Sequence, residues 1–216
     1  MPPYRAILFD LDGTLIDSIG LILASYHHTL ATHGLPPVSD AEWLAGVGTP
    51  LRVQLARFAP TTAHMDALVQ TYRDYNLGNH DAVVKPYPGV PGLVRRIRAA
   101  GYRTAVVTSK NVEGTRRGLA VAGIEEEIEV IVAADTVTHP KPHPEPVLQA
   151  MDKLGTGPAE TLFIGDSIHD LNSGRAAGAR TGAVLWGPFG REALEAGTPD
   201  HWLRTPADLE DLLFPD

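Results

Sequence analysis

Two carboxylates spaced two residues apart, Asp10 and Asp12 in Asp10-Leu11-Asp12-Gly13-Thr14, follow directly on the apolar run Ala6-Ile7-Leu8-Phe9. A run of that kind reads as a buried strand, and carboxylates at its end are costly to bury without compensation. Side chains alternate along a strand, so both acids point roughly the same way while the chain stays extended, and Gly13 then lets the backbone turn away. Like charges in one recess repel, so either a cation holds them or one keeps a proton. A divalent cation at a phosphate-handling site meets both conditions. A polar turn after a strand is the alternative, since Asp and Gly favour turns for backbone reasons alone.

Three further groups of the same character follow later apolar runs. Thr108-Ser109-Lys110 succeeds Ala105-Val106-Val107, where a hydroxyl and backbone N–H groups could grip a phosphate oxygen or simply cap the next helix. His139-Pro140-Lys141-Pro142-His143-Pro144 frames Lys141 between prolines that would aim it in one direction, although prolines are also common where helices begin. Gly165-Asp166-Ser167-Ile168-His169-Asp170 succeeds Leu162-Phe163-Ile164. The oxygens of Asp166 and Asp170 suit a hard cation, and Asp and Ser are also good helix N-caps.

The elements that must position these groups are legible around them. Besides the first run, residues 104–108, 128–134, 161–165 and 181–186 are short, aliphatic and nearly continuous, as strands covered on both faces are. Helical patterns at 88–100, 112–122 and 144–154 stop at Gly101, Gly123 and Gly155, where a helix C-terminus favours glycine. Such alternation predicts a parallel α/β sheet with right-handed crossovers, which binds ligands at the carboxyl ends of its strands. Residues 16–85 break the alternation and read as helices at 18–33, 39–44, 50–58 and 61–77, with Ser39-Asp40-Ala41-Glu42 in the form of a capping box. The predicted organisation is a core of residues 1–15 and 86–216 with a helical insertion at 16–85, hinged near 15–17 and 85–88.

Composition narrows the class. The chain has 216 residues, of which 44% are hydrophobic and 20% charged, an ordinary balance for a globular protein. A net charge of −8 and the lack of a Lys/Arg block disfavour nucleic acid and anionic lipid as partners. With no cysteine, disulfides, thiolate metal sites and cysteine nucleophiles are excluded together. Met1-Pro2-Pro3-Tyr4-Arg5 lacks the long apolar segment of a signal peptide, and no stretch is long and apolar enough to span a bilayer. The expectation is a cytoplasmic enzyme with a small-molecule partner, of unassigned oligomeric state.

Four of the five predicted strands thus end in groups suited to phosphate or Mg²⁺, and in this order the set resembles the four motifs of the haloacid dehalogenase (HAD) superfamily over essentially the whole chain. The resemblance implies a Rossmann-like αβα core with residues 16–85 as a C1-type cap. It implies Asp10 as the nucleophile that takes the phosphoryl group, and Asp12 as the general acid that protonates the leaving group and later activates water. Thr108 and Lys141 match groups that neutralise phosphoryl oxygens. Asp10, the backbone carbonyl of Asp12, and Asp166 match Mg²⁺ ligands; Asp170 matches a supporting acid, and Thr14 a residue that orients the first loop. Mg²⁺ and Lys141 would offset the clustered carboxylates and the incoming dianion, as phosphoryl transfer requires.

Within the superfamily, an acid at position 12 favours phosphoryl transfer over dehalogenation, and the lack of any lysine before Lys85 argues against phosphonate hydrolysis through a cap Schiff base. The closest likeness is to bacterial pyrophosphatases of the HPr-kinase-associated type, through the segments 72–81, 139–146 and 190–192, followed by phosphoglycolate phosphatases. A β-phosphoglucomutase-like phosphosugar mutase and a non-catalytic binding module on the same fold stay open as alternatives. In the insertion, Gly46, Thr49 and Arg52 are candidate substrate contacts, because glycine permits close backbone approach and Arg52 could meet a second anionic group. A loop-to-helix junction with an exposed arginine reads equally well there. His27, His28 and His33 read as surface groups of a cap helix, and His169 is unassigned.

Overall fold

The computed structural model describes residues 4–215, so the reading of Met1–Pro3 as leaderless lies outside the described residues. Six strands form one parallel sheet in the order β5-β4-β1-β6-β7-β8: β1 Ala6–Phe9, β4 Arg103–Val107, β5 Val130–Val132, β6 Thr161–Gly165, β7 Arg180–Val184 and β8 His201–Leu203. Two further two-residue strands, β2 Ile16–Asp17 and β3 Lys85–Pro86, pair antiparallel as a separate ribbon. Where 128–134 is predicted as one strand, only the middle pairs; a 3-10 turn ends at Glu127 and another begins at Ala134. Strand β8 has no sequence forecast, because His201-Trp202-Leu203 is a three-residue piece with a polar start.

β1 is buried throughout, and its period of two divides the core. Ile7 and Phe9 face one layer with Val106, Leu162 and Ile164. Helices α5 Val90–Ala99, α6 Val112–Ala122 and α10 Pro206–Leu213 cover that face through Leu93, Ile97, Leu119 and Leu209. Ala6 and Leu8 face the other layer with Ala105, Val107 and Phe163, under Val147, Met151 and Leu154 of α7 Glu145–Leu154. Each large apolar side chain so enclosed contributes about 1.5–3 kcal/mol. The helix stops work as expected: Gly101 follows α5, Gly123 closes α6 and Gly155 closes α7, all at positive φ.

Four helices lie between the two strands of the ribbon: α1 Ile19–Thr32, α2 Asp40–Leu44, α3 Leu51–Leu55 and α4 Thr62–Val83. They share their own apolar cluster, in which Tyr26 stacks on the fully buried Trp43 at 4.1 Å between ring centroids. Ser39 caps α2 by accepting from the Glu42 N–H, but Glu42 does not return the bond; its carboxylate pairs with Arg57 instead. Helix α4 runs six residues beyond the predicted end at Leu77, through Gly78, because glycine lowers helix propensity by only about 1 kcal/mol. On the far side, α8 Ile168–Ala176 and the short α9 Arg191–Leu194 complete the core.

β1 and β6 are neighbours, yet the chain leaves β1 toward β4 and leaves β6 toward β7. A crevice opens at such a reversal, outside the carboxyl ends of the strands. Asp10 and Asp166 are the residues that emerge there.

Candidate active site

The first loop is built by backbone bonds. Asp10 N–H donates to Ile164 O at 2.8 Å, extending the β1–β6 ladder by one residue, and Gly13 N–H donates to Ile16 O at 2.9 Å, folding the chain back. Gly13 sits at φ +87°, and a Cβ there would lie 2.5 Å from Asp166 Oδ2. Only glycine therefore lets this turn pass beside Asp166. Thr14 donates its hydroxyl to Asp166 Oδ1 at 2.8 Å, and the Trp186 indole N–H donates to Thr14 O at 2.9 Å, so the loop is tied to β6 and to the segment after β7.

Lys141 is 3% exposed and its ammonium donates to Asp10 Oδ1 at 2.8 Å, Asp170 Oδ1 at 2.5 Å and Val107 O at 3.2 Å. Asp170 reaches it from the first turn of α8, where its other oxygen accepts from the backbone N–H and hydroxyl of Ser167 in a capping box. N-capping and site-building are thus one arrangement, not alternatives. Thr108 is buried at the end of β4 and lines the same cleft.

Charge is unbalanced at this point. Burial pushes Asp10 up to about 7; Lys141 opposes the shift, while Asp170 and Asp12 reinforce it. Asp166 is driven well above the carboxylate range by burial and then by Asp10 and Asp170. Burial works against the Lys141 ammonium, but Asp10 and Asp170 outweigh it and raise its pKa. Asp10, Asp166 and Asp170 each offer a carboxylate oxygen within 4.8 Å of the others, and Asp166 Oδ2 is buried with no hydrogen-bond partner. An all-oxygen donor set with one oxygen unengaged fits a hard divalent cation.

Asp12 is held differently. Lys110 donates to both its oxygens, at 2.8 and 3.0 Å, and Ser18 donates to Oδ1 at 2.5 Å. Burial pushes Asp12 up, but Lys110 and Ser18 together outweigh it and hold the carboxyl below its usual range. Lys110 and Ser18 are absent from the expected site. The signal for Lys110 was available: only four of the 18 basic residues are lysines, and two of them follow strand ends.

The cleft holds about 340 Å³ and runs from Asp10, Thr108 and Asp166 to the helices, where Tyr26, Tyr72, Arg73 and Asn76 line it. Of the expected insertion contacts, Thr49 and Arg52 line the cleft, with Arg52 also paired to Asp66 at 2.5 Å on the surface. Gly46 does not line it; its carbonyl accepts the Thr49 hydroxyl and a Cβ there would press on Gln54. The close backbone approach belongs to Gly48, at φ +96°, beside Ser167 and His169. Ser109, expected to bind phosphate, donates its hydroxyl to Gly48 O at 2.6 Å and so joins the two parts of the chain.

A parallel sheet carrying aspartates at its switch point, a buried lysine between them and a helical cover defines a phosphoryl-handling α/β hydrolase. The chain belongs to the haloacid dehalogenase-like hydrolase family, whose model matches residues 7–184. It is 37% identical over 209 residues to the pyrophosphatase PpaX of Halalkalibacterium halodurans, covering 97% of this chain and 96% of that one. It is 39% identical over 205 residues to the PpaX of Bacillus pumilus, covering 95% and 94%. Among solved structures, a predicted phosphoglycolate phosphatase from Haemophilus somnus superposes with a TM-score of 0.89 at 25% identity, over 99% of this chain and all of that one. The protein is a HAD phosphohydrolase of small phosphate compounds. No helix among the described residues is long and apolar enough to cross a membrane.

Proposed function

We propose that this hydrolase transfers the phosphoryl group of pyrophosphate or 2-phosphoglycolate to Asp10 and then to water, with Mg²⁺ at the carboxylate cluster. The observation that carries the reading is the placing of Asp10: buried at the switch point, 2.8 Å from Lys141, with Asp12 two residues on and lining the same cleft. Asp10, Asp166 and the backbone carbonyl of Asp12 would hold the cation, with Asp170 as support through Lys141. When bound, Mg²⁺ neutralises the carboxylates and the phosphoryl oxygens, so that an anion can approach an anion.

Asp10 attacks phosphorus as the bond to the leaving oxygen breaks, and Asp12, which takes up a proton once it parts from Lys110, delivers that proton to the leaving oxygen. Asp12, now ionised, takes a proton from water as that water attacks the aspartyl-phosphate, which restores Asp10 and releases phosphate. One residue serves as acid and then as base because the second step reverses the proton transfer of the first. Lys141 and Thr108 hold the non-bridging oxygens, where fixed donors act most strongly in a recess closed to water. Thr14 keeps Asp166 aligned. Helices α1–α4 act as the mobile cap of residues 16–85, bending at the β2–β3 ribbon, and closure excludes all water but the attacking one.

The test is phosphate release with Mg²⁺ from pyrophosphate, 2-phosphoglycolate, glucose phosphates and an aryl phosphate, with Asp10→Asn as the blank. A preference of tenfold or more for pyrophosphate or 2-phosphoglycolate, lost in the variant, is expected. Equal rates across the panel would refute the substrate assignment, and turnover by Asp10→Asn above a few per cent would refute the nucleophile.

A further inference from the structure

Both oxygens of Asp12 are occupied by Lys110 at 2.8 and 3.0 Å, and both side chains are 14% exposed. This is a pair in a recess, where separating the two charges without replacing either is costly. Yet Asp12 must turn from Lys110 to reach an oxygen leaving from phosphorus above Asp10. Lys110 cannot follow it freely. Its N–H donates to Thr108 Oγ1 at 3.2 Å and its carbonyl accepts from Ala134 N–H at 2.9 Å, so the backbone is fixed beside the phosphoryl end. Its stem crosses Gly114 of α6, where a Cβ would stand 3.1 Å from Cδ and Cε, so the helix leaves this lysine a track.

Few acids are present to take over the Lys110 charge. The other carboxylates lining the cleft are Asp10 and Asp166, in the phosphoryl cluster, and Asp135, which accepts the Val112 N–H at the rim. The replacement must then arrive with the substrate. It must come within reach of the Lys110 ammonium while Asp12 reaches the leaving oxygen, so the second anion has to be close to that oxygen in the covalent structure.

We infer that Lys110 is a specificity-determining residue that exchanges Asp12 for an anionic group on the leaving side of the substrate, so that the enzyme selects phosphoryl compounds whose leaving group carries a second negative charge within one or two bonds of the bridging oxygen. The inference rests on the hydrolase reading above and deepens it: the second phosphate of pyrophosphate and the carboxylate of 2-phosphoglycolate both satisfy the requirement. A substrate without that charge still binds at Asp10, Thr108 and Lys141 but leaves Asp12 engaged by Lys110. Discrimination therefore falls on kcat as well as on KM, which a purely structural lysine would not produce.

The experiment compares wild type, Lys110→Met and Lys110→Arg in the full chain with Mg²⁺ on pyrophosphate, 2-phosphoglycolate and ethyl phosphate, whose leaving group is neutral. Lys110→Met should lower kcat/KM for the two anionic-leaving-group substrates at least 100-fold and raise kcat for ethyl phosphate, because Asp12 is no longer held, with Lys110→Arg recovering part of the preference. An equal loss on all three substrates, or none on any, would overturn the inference. Calorimetry with methylenediphosphonate and methylphosphonate supplies an arm independent of turnover. The variant should bind the first at least tenfold more weakly and the second unchanged, and equal weakening of both counts against the exchange. If wild type itself released no phosphate, the hydrolase reading would fail, while the calorimetric contrast would still decide the role of Lys110.

Discussion

Lys141 Nζ stands 2.8 Å from Asp10 Oδ1, joining two residues 131 positions apart in a contact almost closed to solvent. The pair is not a simple one, because Asp170 takes the same ammonium at 2.5 Å and Asp166 adds a further nearby carboxylate.

Lys141→Met should therefore fail in two separable ways. Breaking a buried ion pair from one side costs about 3–5 kcal/mol, because the stranded charge has no partner, and here two carboxylates are stranded. Loss of a donor to the transferring group costs on the order of 10²–10³ in rate. Urea unfolding and single-turnover phosphate release read the two losses; full stability in the variant would contradict the geometry.

The carboxylate cluster makes stability depend on pH in a direction opposite to that of an ordinary salt-bridged acid. Asp10 is raised to about 7 in the folded state from 3.8, so between those values the folded protein holds a proton that the unfolded chain has lost. Stability of the metal-free protein should fall as pH rises through that window, by at most about 1.4 kcal/mol per pH unit for one proton. Asp166, also raised, acts in the same sense. Mg²⁺ favours the ionised carboxylates, so the stabilisation it adds should grow from pH 5 to pH 7.5 and vanish with a chelator. Thermal melts across that range with and without Mg²⁺ check it, and a metal-free stability that rises with pH would refute the sign.

How much of this was readable beforehand follows from what each residue depends on. The strand ends were legible because β1, β4 and β6 are runs of buried aliphatics, and a carboxylate or hydroxyl after such a run stands out by polarity alone. The sheet order was not read in detail, since β8 holds three residues and pairs only through β7. The Lys110–Asp12 pair links residues 98 apart and depends on the sheet placing β1 beside β4, which no local pattern encodes. Gly46 and Gly48 are glycines of one loop that the sequence does not separate; the φ of +96° that distinguishes Gly48 is a property of the folded backbone. The resemblance implies Asp170 as a supporting acid, but its dual engagement with Ser167 and Lys141 depends on the position of α8 relative to the Lys141 loop.

The bond from Ser109 to Gly48 ties the helical insertion to the core, and on the proposed reading of that insertion as a mobile cap it is a latch. Gly48 carries a carbonyl from the helical insertion to a hydroxyl of the core, and its own Cα packs beside Ser167 and His169. A Cβ at Gly48 would stand 2.8 Å from Ser167 Oγ and force a left-handed backbone on alanine, at a cost of roughly 1–2 kcal/mol before any clash. Ser109→Ala removes one hydrogen bond, worth about 0.5–1.5 kcal/mol, and leaves the backbone free to close. The two variants should form a series: KM raised two- to tenfold in Ser109→Ala with kcat little changed, and a larger loss of kcat/KM in Gly48→Ala. The bond and the packing contact are made only when the insertion lies against the core, so thermal unfolding should change little in Ser109→Ala, whereas protease cleavage within residues 16–85 should quicken in both variants. An unchanged KM and cleavage rate in Gly48→Ala would mean that this contact does not govern closure, because a substitution with both strain and a steric conflict cannot leave a working latch intact.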